Sequence, residues 1–434
     1  MDNIDITQAF NDKGYDIYLV GGSVRDQCLG LPEKDRDYCT NALPDQTYNI
    51  LRQFGRPHRV GEKFGTIGLG NIEVTTYRSE VYDGTSRKPE VRFGTSLIDD
   101  LDRRDFTINA IAKNEATGEI IDPHGGLLDI QNKIIRCVAS PADRFSEDPL
   151  RMMRAIRLAC RLGFAIHPRT YQSIRAKHKS ITIVSWERIQ DELSKIITSR
   201  DVRLGMEMLR DTGLINYIAP EMVMLFDPRS QNYYHNRNIW GHTLDVASRS
   251  RGDLVLRWAT LLHDVGKMAT RTDIKGEVHY YGHEDVGALL AESILRRLRY
   301  PTTTIDRVVR LVKLHMQVNF YNERWTDGTV RRLMGRLGDD IDLAIELARC
   351  DQGSHVQGGQ INDLERRVTE LRNRGDDKLV LPVNGNDLMA HFNRSPGPWI
   401  GDAKSLLETL VIDGELGSSD RDGAIRVIEQ MLTT

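Results

Sequence analysis

"VGGSVRDQCLGLPEKDRDY", Val20 to Tyr38, decides how the chain is read. The apolar run leading into it, "YDIYLV" (15–20), predicts a strand that ends at Gly21-Gly22. Ser23 and Asp26 have capping-box spacing and Gly30 supplies a stop, so a helix of barely two turns should follow. A glycine turn between a strand and a helix start can aim backbone N–H groups at a phosphate, and Arg25 can add a charge-assisted contact. The same turn also serves as a plain tight connection. It is neither a Walker loop nor a dinucleotide fingerprint. Asp35 and Asp37 lie two residues apart, which on a strand puts both on one face about 6.6 Å from each other. Such a pair suits divalent cations of a two-metal phosphoryl-transfer site, where the ions sit about 3.5–4 Å apart. D-x-D also occurs in solvated turns.

Further along, "GTIGLGNIEVTTYR" (65–78) alternates β-branched residues and predicts a strand. Glu73 points opposite Ile72 and Val74 there, which makes it a third candidate metal ligand or an ordinary solvated residue. Residues 79–98 are rich in Gly, Ser and charge and predict a mobile loop. In "DDLDRRDFTINA" (99–110), Arg103 and Arg104 can neutralise a triphosphate, while Asp105 and Asn109 can bond ribose hydroxyls or structural partners. From Asp148 onward the pattern is helical almost throughout, with periods at 186–214, 239–265, 284–300, 302–317 and 328–350. "FDPRSQNYYHNRN" (226–238) reads as a linker, and "NRSPGPWIG" as a second loop in a helical tail.

The chain has 434 residues, 40% hydrophobic and 28% charged, with a net charge of −3. That length predicts several domains with real cores, and the charge provides no global basic field for nucleic acid. Five scattered cysteines without CxxC spacing predict neither a disulfide framework nor a zinc knuckle and fit a reducing, cytoplasmic setting. "MDNIDITQAF" has no signal-peptide character, and no apolar run is long enough to span a membrane.

Together "YLVGGSVRD", "DRD", "IEVTTYR" and "RRDFTINA" resemble the class II tRNA nucleotidyltransferases, the CCA-adding enzymes, which share a polymerase-β-like head with bacterial poly(A) polymerases. The resemblance implies an α+β fold: a head with a mixed sheet, then an all-helical neck, body and tail. It implies nucleotide binding at Gly21, Gly22, Ser23, Arg25, Arg104 and Asp105, and two Mg²⁺ at the catalytic Asp35 and Asp37. Glu73 as third ligand is an inference from strand geometry.

"SEDPLRMMR" (146–154) matches the family's E-D-x-x-R motif through Glu147, Asp148 and Arg151. An Asp accepts from an exocyclic amino group, and an Arg donates to a ring nitrogen or carbonyl. Cytosine and adenine present an amino donor beside a ring acceptor. Guanine and uracil present the reverse and would leave buried polar groups unpaired. Asp148 can also be a simple helix cap before Pro149. Arg151, Arg154, Arg157 and Arg161 form a basic helical stripe, suited to nucleotide, to RNA phosphates or to solvent. Asp83 and Arg87 keep the D-x-x-x-R spacing of the family's pocket-switching loop, which implies competence for A addition.

His242, His263-Asp264 in "LLHDVGK", His283, His315 and Asp351 resemble the ligand pattern of HD-domain phosphohydrolases. The resemblance implies a divalent transition metal or Mg²⁺ there, although a His-Asp pair can also be purely structural. His279 has no clear role. The order after "LARCDQGSH" looks most like actinobacterial members of the bacterial family. The expected domains are a head at 1–136, a neck at 137–225, an HD domain at 237–355 and a helical tail at 356–434. The expected reaction is addition of C, C and A to tRNA from CTP and ATP. Its competitors are a poly(A) polymerase and an HD phosphohydrolase with a nucleotide-sensing head.

Overall fold

The computed structural model describes residues 3–32, 35–59, 61–81, 90–93, 96–232, 237–353, 359–375 and 381–433. They fall into two compact units, Met1–Pro220 and Glu221–Thr434.

The first unit is organised by strands β1 (Ile17–Val20), β2 (Arg36–Thr40), β3 (Thr66–Leu69), β4 (Ile72–Thr76), β5 (Arg78–Val81), β6 (Glu90–Phe93), β7 (Ala112–Lys113) and β8 (Ile120–Ile121). Six of them form one sheet in the order β3-β4-β2-β1-β7-β8. It is mixed: β2 and β4 run parallel, and the other neighbours are antiparallel. Val20, Cys39 and Ala112 pack together on it with Tyr77 and Leu101, while Leu19 and Val74 are buried as well.

Several expectations need correction. Residues 65–78 are not one strand: Gly70, at φ +61°, turns the chain so that β3 and β4 form a hairpin. The segment 79–98 is not wholly a loop, because β5 pairs antiparallel with β6. Ser96 then caps the helix Leu97–Asp102 in a capping box with Asp99. Asp83 and Arg87 lie outside the described residues. Ser23 and Asp26 do not form a capping box either. The helix Gly22–Cys28 is capped by Gly21 without a side-chain bond, and Ser23 serves elsewhere.

Helix Leu150–Leu162 stops at Gly163 in the left-handed conformation, as its sequence predicts. It packs against helix Trp186–Ile197, with Met152, Met153, Ile156 and Ala159 buried on the first and Ile189, Leu193 and Ile196 buried on the second. The 186–214 period is two helices, because the Asp201 side chain caps a new one by accepting from the Leu204 N–H. In the second unit Asp253 does the same for Leu256 and divides 239–265 into Ile239–Arg249 and Leu254–Leu262. That unit is not purely helical: Thr272–Ile274 and Glu277–His279 form an exposed hairpin, and 231–232 pairs with 237–238. Its tail helices enclose a core of Val383, Leu388, Leu407, Leu416 and Ile428. All five cysteines are free. No described helix is long and apolar enough to cross a membrane.

Candidate active site and a candidate metal centre

The opening stretch folds into one site because a single hydroxyl ties its halves together. Ser23 Oγ donates to the Asp35 carbonyl at 3.1 Å and accepts from the Asp37 N–H at 3.0 Å. Gly21 sits at φ +67°, and a Cβ there would lie 2.7 Å from Arg104 Nη1. Only glycine fits that turn and that approach. Asp37 lies on β2 directly beside Glu73 on β4, while Asp35 precedes the strand and is exposed. Burial and then the Glu73 charge push the Asp37 carboxyl above its ordinary value, and Asp35 adds to this against Arg104 and Arg25. Three hard-oxygen carboxylates that repel one another beside a phosphate-sized turn are a donor set that fits divalent cations.

A cavity of about 360 Å³ opens from this turn. Its lining includes Gly21, Gly22 and Asp37, the basic Arg78, Arg103 and Arg104, and Asp148, Arg151, Arg154 and Arg188. Asp100, fully buried, bonds Arg103 at 2.6 Å and Arg104 at 3.1 Å and so fixes both guanidinium groups. Burial alone would raise the Asp100 carboxyl, but those two arginines hold it below its ordinary value.

Asp105 and Asn109 also line the cavity but are already engaged. Asn109 donates to Asp105 at 3.0 Å and accepts from Arg25 at 2.6 Å, while Arg154 reaches Asp105 at 2.6 Å. Burial opposes ionisation of Asp105, and Arg154 with Asn109 more than offsets it, holding the carboxyl far below the usual range. Arg25 is likewise committed, to Asn109 and Asp26, and backs the turn. Asp148 bonds Arg188 at 2.7 Å and accepts from the Leu150 N–H at 3.2 Å. Arg151 is buried, held by Glu147 at 2.7 Å and by the Arg103 carbonyl at 2.9 Å.

A second cavity, about 450 Å³, shares Gly22 and Asp37 with the first. Its lining includes Ser23 and Asp35 together with Arg157, Arg161, Lys195 and Arg200. Two basic chambers therefore meet at the carboxylates, an arrangement that accommodates two phosphate-bearing reactants.

In the second unit the six His and Asp residues singled out by sequence converge. The Nε2 of His263 lies 3.2 Å from Asp264 Oδ2 and 3.6 Å from Asp351 Oδ1, and that of His242 lies 2.9 Å from Asp351 Oδ1. The other oxygen of Asp264 faces His283 at 3.5 Å and His315 at 4.0 Å. His263, His283 and His315 each set Nδ1 against the carbonyl three residues back, which turns Nε2 inward. Two donor triads, His242–His263–Asp264 and Asp264–His283–His315, each gather within 4.8 Å. Among the described residues the head carboxylates form no such triad. Burial disfavours a charged His263, but Asp264 and Asp351 overcome it and push the imidazole up to about 10. A cation suits such a set of nitrogen and oxygen donors better than a proton does. His279 stands apart, stacked on Tyr281.

Sequence reading missed Asp100, Arg188 and Glu192. Asp100 was legible from its spacing of three and four to Arg103 and Arg104 on a helix. Glu192, buried against Arg157 at 2.9 Å, and Arg188 carried no local signal, since Arg157 and Asp148 lie far back in the chain, Asp148 40 residues before Arg188.

Three family models match the chain: a poly A polymerase head domain over 17–136, a probable RNA and SrmB-binding site of polymerase A over 163–225, and a putative tRNA nucleotidyltransferase domain 2 over 286–421. A CCA-adding enzyme from a Geobacillus species is 32% identical over 95% of this chain and 93% of its own length. The chain belongs to the CCA-adding enzyme family of tRNA nucleotidyltransferases. An A-adding tRNA nucleotidyltransferase of Deinococcus radiodurans is also 32% identical, over 92% of both chains. In fold, the chain matches the Bacillus stearothermophilus CCA-adding enzyme in complex with CTP at a TM-score of 0.74, with 29% identity, over 100% of this chain and 99% of that one. It also matches a Thermotoga maritima CCA-adding enzyme complexed with tRNA, at a TM-score of 0.58 and 18% identity.

Proposed function

We propose that the chain adds C, C and A without a template to the 3′ end of tRNA, using CTP and ATP and releasing pyrophosphate. The observation that carries this reading is one cavity lined both by the glycine turn with Asp37 and by Asp148 with Arg151. A nucleoside triphosphate laid along it has its phosphates near the turn and Arg103 and Arg104, and its base near Asp148 and Arg151. Asp148 accepts from the amino group and Arg151 donates to the ring, so cytosine and adenine pair where guanine and uracil would leave partners unmatched. The tRNA 3′ end enters the second chamber, its phosphates facing Arg157, Arg161, Lys195 and Arg200. Asp35 and Asp37, with Glu73, would hold two Mg²⁺, which activate a hydroxyl and neutralise phosphoryl charge when bound. Asn109 and Asp105 brace Arg25 and Arg154 around the nucleotide. In this reading 1–136 is the head, 137–225 the neck, 237–355 an HD domain and 356–434 a tail.

Relatives named CCA-adding along nearly the whole chain favour this over a poly(A) polymerase. The test uses purified protein with tRNA lacking CCA or ending in CC, and the products are sequenced. C-C-A on the first substrate supports the reading. Extension of only the CC-ended substrate would assign the activity of the Deinococcus relative, and long A tails the rival. Asp37→Ala should abolish incorporation.

A second activity rests on the converging His and Asp side chains in the other unit. His242, His263, Asp264, His283, His315 and Asp351 would hold a divalent transition metal or Mg²⁺, which lowers the pKa of bound water when present. Metal content and hydrolysis of phosphomonoesters and 2′,3′-cyclic phosphates test it, and His263→Ala should remove both. Metal-free protein with no hydrolysis after loading with each metal would refute it.

A further inference from the structure

Asp148 occupies an unusual joint. It ends the helix Pro141–Glu147 in an extended conformation, and the helix Leu150–Leu162 starts two residues later. Neither helix therefore dictates where its carboxylate points. Two contacts do: the Leu150 N–H on Oδ1 at 3.2 Å, and Arg188, whose Nη2 lies 2.7 Å from Oδ2 and Nη1 3.5 Å from Oδ1. Arg188 stands in the first turn of Trp186–Ile197. That helix is clamped to Leu150–Leu162 by Glu192 with Arg157, so its guanidinium arrives from a rigid support. Its side chain is 38% exposed and that of Asp148 21%, and both open into the nucleotide cavity. An ion pair so wetted contributes little to stability, which leaves its geometry as the property worth holding.

We propose that Arg188 is a positioning residue for base choice: it aims the Asp148 carboxylate so that its remaining lone pairs meet the amino group of cytosine or adenine. The inference rests on the reading of Asp148 as a base-contacting acceptor. A freely rotating carboxylate can turn away from a carbonyl-bearing base or admit a bridging water, and either removes the penalty that rejects guanine and uracil. Arg188 is thus expected to act on selectivity more than on the chemical step.

The test measures kcat and KM for CTP, UTP, ATP and GTP with matching tRNA ends in wild type, Arg188→Ala, Arg188→Lys and Asp148→Ala. In Arg188→Ala the preference for CTP over UTP, as a ratio of kcat/KM, should fall about tenfold. The KM for CTP should rise while kcat changes less, and Arg188→Lys should recover part of the preference. Arg188→Gln replaces the alanine variant if thermal melting shows that the latter does not fold. Unchanged preference in the Arg188 variants, with preference lost in Asp148→Ala, would overturn the proposal alone. Unchanged preference in Asp148→Ala would overturn the base-reading assignment beneath it. An equal fall in kcat for all four nucleotides at constant preference would make Arg188 merely structural.

Discussion

Gly21 shows how much one residue can fix. Its positive φ and the 2.7 Å between its virtual Cβ and Arg104 leave no room for a side chain. Gly21→Ala is expected to displace Arg104 and the turn together and lower incorporation about 100-fold, read as kcat/KM on tRNA lacking CCA. Asp105 gives a pH-dependent prediction. Its folded-state pKa is depressed, so the stability it contributes is present above the unfolded value of about 3.9 and is lost as pH falls through the lower folded value. Asp105→Asn should therefore cost about 1–2 kcal/mol at neutral pH by removing the carboxylate that pairs with the half-exposed Arg154, with the gap to wild type narrowing as pH falls below about 4. Urea unfolding across pH checks this. The acid residues of the site were readable as types. What sequence could not provide was that Asp105 and Asn109 are spent on Arg154 and Arg25, since those bonds join positions as much as 84 residues apart.

At the scale of elements, strong local signals survived and averages did not. Gly163 stopped its helix where it stands, because a left-handed cap is a property of one residue. The continuous periods at 186–214 and 239–265 hid internal breaks, made where Asp201 and Asp253 cap new helices with their side chains. Packing at Gly266 was also invisible in sequence. A Cβ there would lie 2.2 Å from the His283 carbonyl and 2.6 Å from the Gly287 N–H. Gly266→Ala should push the helix His283–Arg297 outward and weaken metal binding at the proposed His and Asp site by about 10–100-fold, measured by calorimetric titration of metal into the metal-free protein. Nucleotide addition, whose proposed site lies in the other unit, should be unchanged.

Across the whole molecule, a net charge of −3 coexists with a concentrated basic chamber at Arg157, Arg161, Lys195 and Arg200. Affinity for tRNA should fall steeply with salt, and Arg161→Ala should reduce the slope by about one while leaving the KM for CTP unaltered. Filter binding at several salt concentrations reads this directly. In the proposed reading, bond formation and base choice belong to different side chains of one site. Incorporation of each of the four nucleotides by Asp148→Ala, beside wild type, tests that most directly. Continued incorporation, with the preference for C and A over G and U lost, is the expected result. A variant that still incorporates while retaining the wild-type preference would contradict it.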